Sequence, residues 1–147
     1  MAARAWAQAG IDALERVEAI SPNVAARLVD ALHDPAGADL LAEARELGLH
    51  LEVCPTSNVH TGAAASIATH PITALWQAGL SLSYHTDNRL MSCITHNQEA
   101  AELLRHTPLT AGDLLAMARH AAGHSFLPPA ARAAALDAID AVRSDFV

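Results

Sequence analysis

Cysteine is nearly absent from this sequence, with two, Cys54 and Cys93, in 147 residues. Two are too few for the disulfide framework of a small secreted scaffold, and their separation matches no metal-binding cysteine pair. Both are expected to be reduced and packed as small apolar groups in a cytoplasmic protein. Aromatic residues supply only 3% of the chain, which leaves few large anchors for a core and few platforms for stacking bases. Positive charge is scarce as well. Nine Lys and Arg stand against 16 Asp and Glu, for a net charge of −7, and nonspecific nucleic-acid binding, which needs a basic face, is excluded on that balance. No apolar run approaches the roughly 20 residues that span a bilayer. Residues 1–15 lack the unbroken apolar stretch of a signal peptide.

What is present is a chain that is 52% apolar and 17% charged, a composition that buries a core and does not stay disordered. The length fits one domain, residues 1–147. Much of the apolar content is alanine, so helices should dominate. Trp6, Ile11, Leu14 and Val17 recur at helical spacing over residues 2–18. Residues 24–29 are short enough for a strand, and residues 39–47 predict a helix stopped by Gly48. Residues 49–54 (LHLEVC) predict a strand whose ladder ends at Pro55. A loop of small residues over 56–69, with a short helix near Ala63, leads to a helix entered at His70 and Pro71 and closed by Gly79. A second strand follows over residues 80–84, which makes a βαβ unit with parallel strands. The rest predicts helices over 95–104, from Thr110 (with Asp113 completing a capping box) to His124, and over 130–143, the last with Ala135, Leu136, Ile139 and Val142 inward.

The stretch with most chemical content is residues 80–92, LSLSYHTDNRLMS. An apolar strand stops there in His85, Thr86, Asp87, Asn88 and Arg89, and α/β folds place their chemistry at the C-terminal ends of strands. Turn composition alone also favours Asp and Asn at such a point. Ser57 and Asn58 stand in the same relation to the preceding strand, with turn capping as the alternative role. Cys54, flanked by an apolar run and a proline, reads as core and not as a nucleophile.

LSLSYHTDNRLMS resembles the last barrel strand of the adenosine deaminase family, which ends in T-D-D or T-D-N. The segment from Leu51 to Gly62, LEVCPTSNVHTG, is similar to the family's E-x-C-P-x-S-N motif, and HAAGHSFLP from His120 to the closing helix that runs into S-F-hydrophobic-P. The three occur in the family's order across residues 27–142. The resemblance implies an α/β fold, the C-terminal part of a (β/α)8 TIM barrel with two to three parallel strands, followed by C-terminal helices. It further implies hydrolytic deamination of adenosine or a related purine to inosine and ammonia, with zinc activating the attacking water. Asp87 then matches the zinc-binding aspartate, and Asn88 stands where the second acid of T-D-D would hydrogen-bond a purine nitrogen. Ser57 and Asn58 are expected to lie beside them at the barrel mouth, as substrate-binding residues with Asn88. His85, two residues before Asp87 and so on the same strand face, is the candidate catalytic side chain.

The same resemblance defines what is missing. The family's H-x-H pair, its H-A-G-E strand and its G-H-G step occur nowhere in the sequence, and aligning residues 27–30 with the family puts Asn23, Val24 and Ala25 at the last of them. A barrel of this type takes about 250 residues. One aspartate cannot hold a catalytic zinc, so the chain is expected to be inactive alone. The alternative is a non-catalytic half-barrel that serves as an interaction module. Open strand edges and apolar helix faces predict self-association, or pairing with an N-terminal half-barrel. His120 and His124, four apart on one helix, share a face and read as ordinary surface residues. His60 is a candidate to reach the mouth, His70 reads as a helix-entry residue, and Glu52 reads as structural.

Overall fold

The computed structural model describes residues 30–31 and 38–143. The helix expected over residues 2–18 and the strand over 24–29 lie outside the described residues. Helix α1 (Ala38–Glu46) leads through Gly48, at φ 62°, into strand β1 (His50–Val53). Helices α2 (Pro55–His60) and α3 (Ile72–Gln77) form the crossover to strand β2 (Ser81–Tyr84). Then come a single turn, α4 (Arg89–Ser92), and three longer helices, α5 (His96–His106), α6 (Ala111–His124) and α7 (Pro129–Arg143). The strands pair in parallel, His50 opposite Ser81 and Val53 opposite Tyr84, and the His85 N–H extends the ladder to the Val53 carbonyl at 2.8 Å. Parallel strands cannot be joined by a tight hairpin, which is why a crossover separates them.

Period-2 alternation gives this small sheet two unlike faces. Leu51, Val53, Leu80, Leu82 and Tyr84 take one side and pack with Ile72, Leu75, Leu103, Leu114 and Met117. Ile72, Leu82, Leu103 and Met117 have no exposed surface at all. The other side carries His50, Glu52, Ser81 and Ser83, the set that the register places together. Helix α6 serves both. Its Leu114 and Met117 enter the core, and the same stripe of the helix carries on to His120 and His124.

The helix starts follow from local chemistry. Thr95 and Gln98 form a full capping box at α5, as do Thr110 and Asp113 at α6, so each helix has its first free N–H groups satisfied by its own side chains. Asp113 also accepts the Trp76 indole N–H at 2.9 Å, which ties the start of α6 to α3.

Three expectations are corrected. The segment after β1 is not a loop with a helix near Ala63: α2 begins at Pro55, because proline is pre-organised for the first helical position and lacks only an N–H the helix would not use. Cys93 is exposed, not packed, at the left-handed end of α4. Val142, in the last turn of α7, is 44% exposed, while Ala135, Leu136 and Ile139 on the same helix are half-buried. Among the described residues no helix is long and apolar enough to cross a membrane.

Candidate functional site

The C-terminal ends of β1 and β2 meet at a hydrogen bond from the Ser57 hydroxyl to Asp87 Oδ2, 2.8 Å long. Ser57 arrives there because α2 starts directly after β1, which puts it in the first turn, buried against the strand end. Asp87 arrives by a backbone exception. Its φ is 55°, the left-handed region that costs a residue with a Cβ about 1–2 kcal/mol. Such strain persists where the surroundings over-determine it, which is commonest at functional sites. The turn breaks the strand alternation after His85, so the face-sharing expected of His85 and Asp87 does not extend to Asp87.

Asn88 begins α4. Its side-chain oxygen accepts from the N–H groups of Leu90 and Met91 at 3.1 and 3.3 Å. The capping uses the oxygen and leaves the amide NH2 as the donor face of the side chain. Leu90 and Met91, two and three residues on, are 89% and 79% exposed. The Asn58 side chain is hydrogen-bonded to His70. Its Oδ1 accepts from His70 Nε2 at 3.1 Å, and His70 Nδ1 in turn accepts the Ile72 N–H at 3.0 Å. A nitrogen that accepts carries no proton, so His70 is a neutral Nε2–H tautomer. Burial holds its pKa down, to about 4. His70 is thus the helix-entry residue expected from the sequence, and it also pins α2 to the start of α3. His60 is exposed at the end of α2.

Cys54, half-buried at the end of β1, has its thiol pKa raised, chiefly by burial and next by the Asp87 carboxylate. A raised pKa disfavours the thiolate, so the core reading of Cys54 agrees with its surroundings.

Two features of the site escaped the sequence reading. The first is Glu99 on α5, which has no exposed surface. Its Oε1 accepts the Thr56 N–H at 2.8 Å, so a carboxylate from another helix satisfies a free donor at the N-terminus of α2. Glu99 Oε2 and Thr56 Oγ1 are buried without hydrogen-bond partners among the described residues. Beside them the His96 ring lies parallel to Tyr84, centroids 4.5 Å apart. Only the placement of an acid four residues before Leu103, on the inward stripe of α5, could have signalled this.

The second is a chain of imidazoles and hydroxyls on the hydrophilic sheet face. His50 Nδ1 is 2.9 Å from Ser81 Oγ, and His50 Nε2 is 2.9 Å from Ser83 Oγ. Ser83 Oγ is 2.7 Å from His85 Nε2, and Ser81 Oγ is 3.4 Å from His120 Nδ1. The His124 ring stacks on His50 at 4.3 Å. His120 is therefore not an ordinary surface residue, being half-buried against Ser81 of β2, whereas His124 is exposed, as expected, and stacks on His50 of β1. Burial, and then the neighbouring His124 and His120, lower the His50 pKa to about 4.

The donor set at the strand ends does not fit a zinc ion by itself. Asp87 is one carboxylate with a serine on it, and among the described residues no three His, Cys, Asp or Glu side chains are grouped to hold a metal.

The chain matches the adenosine deaminase family model over residues 11–142. An adenosine deaminase from Mycobacterium sp. (strain JLS) is 41% identical over 98 residues, which are 67% of this chain and 27% of that protein. The adenosine deaminase of Mycobacterium leprae is 36% identical over 118 residues, 77% of this chain and 33% of the relative. Among solved structures, adenine deaminase from Arthrobacter aurescens aligns with a TM-score of 0.65 at 23% identity, covering 74% of this chain and 32% of that one. An Arabidopsis protein, ADAL, solved with IMP bound, aligns with a TM-score of 0.64 over 72% of this chain and 31% of its own. The chain spans about a quarter to a third of the length of the curated relatives it matches. The parallel pair with its crossover, sequence-adjacent helices and polar strand ends is accordingly part of a TIM barrel. With the family model covering nearly all the described residues and the T-D-N step at the end of β2, this chain belongs to the adenosine deaminase family.

Proposed function

We propose that this chain carries the Asp87 corner of an adenosine deaminase-type site and does not deaminate a purine by itself. The observation that supports the reading is the Ser57–Asp87 hydrogen bond, which holds a strained aspartate at the strand end where the family's resemblance puts a zinc ligand. Asn88, its oxygen spent on α4 and its NH2 a donor, suits a purine ring nitrogen as its acceptor. Ser57 contributes by orienting Asp87, and Asn58 by holding the loop through His70. His85 is the nearest imidazole in sequence to Asp87 and is the candidate catalytic side chain.

Zinc is the family's implied metal, and this chain offers it one carboxylate. The histidine pair of H-x-H and the glutamate of H-A-G-E, absent from the sequence, would have to come from other strands. The relatives' names span adenosine and adenine deaminases, and one neighbour was solved with IMP, so the substrate class is an adenine-bearing purine or its nucleoside or nucleotide. A complementing half-barrel that carries those motifs is the partner this reading calls for; a second copy of the chain, which lacks them, would cover open strand and helix faces without completing the site. Two free thiols suit a reducing compartment, and the cytoplasm is the location we assign. A non-catalytic interaction role is the second reading, favoured by Leu90 and Met91 standing exposed beside the strand end.

The test is ammonia release from adenosine by the purified chain with zinc supplied. No ammonia is expected. Sustained release that Asp87→Ala abolishes would overturn the claim of inactivity.

A further inference from the structure

Ser83 is 2% exposed, and its hydroxyl lies between two imidazole nitrogens, His50 Nε2 at 2.9 Å and His85 Nε2 at 2.7 Å. A hydroxyl has one proton to donate and otherwise accepts. Ser83 therefore donates to one of these nitrogens and accepts from the other, and one of the two Nε2 atoms is protonated while the other is bare. If both carried protons, the buried Ser83 O–H would be left without an acceptor. If neither did, a nitrogen lone pair would face an oxygen lone pair. Either arrangement forfeits a buried hydrogen bond.

Neutral His50 has a single N–H, so only two arrangements satisfy both of its neighbours. With the proton on Nε2, His50 donates to Ser83, Ser83 donates to His85 Nε2, and His85 holds its proton on Nδ1. With the proton on His50 Nδ1, the direction reverses along the line, and His85 holds its proton on Nε2. In the first case His85 Nδ1 is a donor and in the second an acceptor. We propose that His50 is a positioning residue that, through Ser83, sets which nitrogen of His85 is protonated.

His50 is the better-fixed of the two rings. Both its nitrogens are hydrogen-bonded, and its plane lies within 8° of the His124 ring. His124 is itself fixed, because its Nδ1 lies 2.9 Å from the His120 carbonyl, which only accepts, so that Nδ1 bears a proton. The lowered pKa of His50 keeps the ring neutral at neutral pH, the state in which tautomer choice has meaning. His85 bears on catalysis only if the deaminase-site reading holds, whereas the coupling is measurable without turnover, so the two fail separately.

The experiment is long-range proton–nitrogen correlation on the whole chain with nitrogen-15 histidine, at about pH 8, where imidazoles of ordinary pKa are neutral. Opposite tautomers for His50 and His85, one Nε2–H and the other Nδ1–H, are expected. Both rings as Nε2–H, or both as Nδ1–H, would overturn the coupling. His50→Phe keeps a flat ring against His124 but removes both nitrogens, and it should turn His85 into a mixture of tautomers. Ser83→Ala should do the same, and it carries the comparison if His50→Phe does not fold. A His85 tautomer ratio unchanged in the folded variant would equally overturn it.

Discussion

His70 offers the sharpest test of how the site's framework is held. Its ring is 6% exposed and accepts the Ile72 N–H on Nδ1 while Nε2–H donates to Asn58. Protonating Nδ1 would set a second proton against the Ile72 N–H, in a pocket that burial has already made hostile to charge, and the pKa is lowered from 6.5 to about 4. Because the folded value lies below the unfolded one, the unfolded chain binds more protons between these values, and stability falls as pH falls. The contribution is whole above pH 6.5, drops by about 2 kcal/mol by about pH 5, and levels off near 3 kcal/mol below pH 4. His70→Asn removes the titration but keeps an acceptor for the Ile72 N–H. At about pH 7.5 the variant should be about 1–2 kcal/mol less stable, from the lost bond to Asn58 and some lost packing. At about pH 5 the wild type gives up about 2 kcal/mol that the variant keeps, so the gap closes or inverts. Urea unfolding at both pH values measures it, and the other histidines cancel in the difference. A gap of the same size at both pH values would refute the reasoning.

Three further substitutions probe the elements that deliver Ser57 and His120. Glu99→Ala strips the acceptor from the Thr56 N–H and opens a cavity in a fully buried position, and it should cost about 2–4 kcal/mol in urea unfolding. Glu99→Gln, which keeps an oxygen for Thr56, should cost less than about half of that, and equal losses would deny the carboxylate its capping role. Thr110→Ala breaks the capping box of α6 and should cost about 1 kcal/mol by thermal melting followed by circular dichroism. Asp113, whose pKa is held low mainly by its bonds from Thr110, should titrate closer to the ordinary carboxylate range in that variant.

What the sequence made legible was whatever rests on neighbours in the chain. The strands β1 and β2, the helices α1, α3, α5, α6 and α7, and the Thr110 cap all follow from local periodicity, proline and glycine punctuation and capping chemistry. The T-D-N step does lie at the end of β2, and Ser57 does meet Asp87 there. Helix α2 was missed because its residues, Pro-Thr-Ser-Asn-Val-His, have turn composition, and it stands on the Glu99 bond that arrives from 43 positions away. Asn58 was visible as a polar residue beyond a strand end and His70 as a helix-entry residue, but that one ring holds both elements is a fact of the folded chain. The His50 array was invisible for the same reason: His50, Ser81 and Ser83 meet only through the register of β1 on β2, and His120 and His124 only through the packing of α6. Nothing in the spacing of these residues along the chain encodes a pairing between strands.

The most direct test of the central claim is the zinc content of the folded chain, purified in zinc and then dialysed, read by elemental analysis alongside Asp87→Ala. A site with a single carboxylate ligand retains no stoichiometric zinc, because affinity comes from several ligands acting together, so wild type and variant should both be metal-free. One zinc per chain in the wild type, lost in Asp87→Ala, would contradict the account and show that this chain assembles a metal centre of its own.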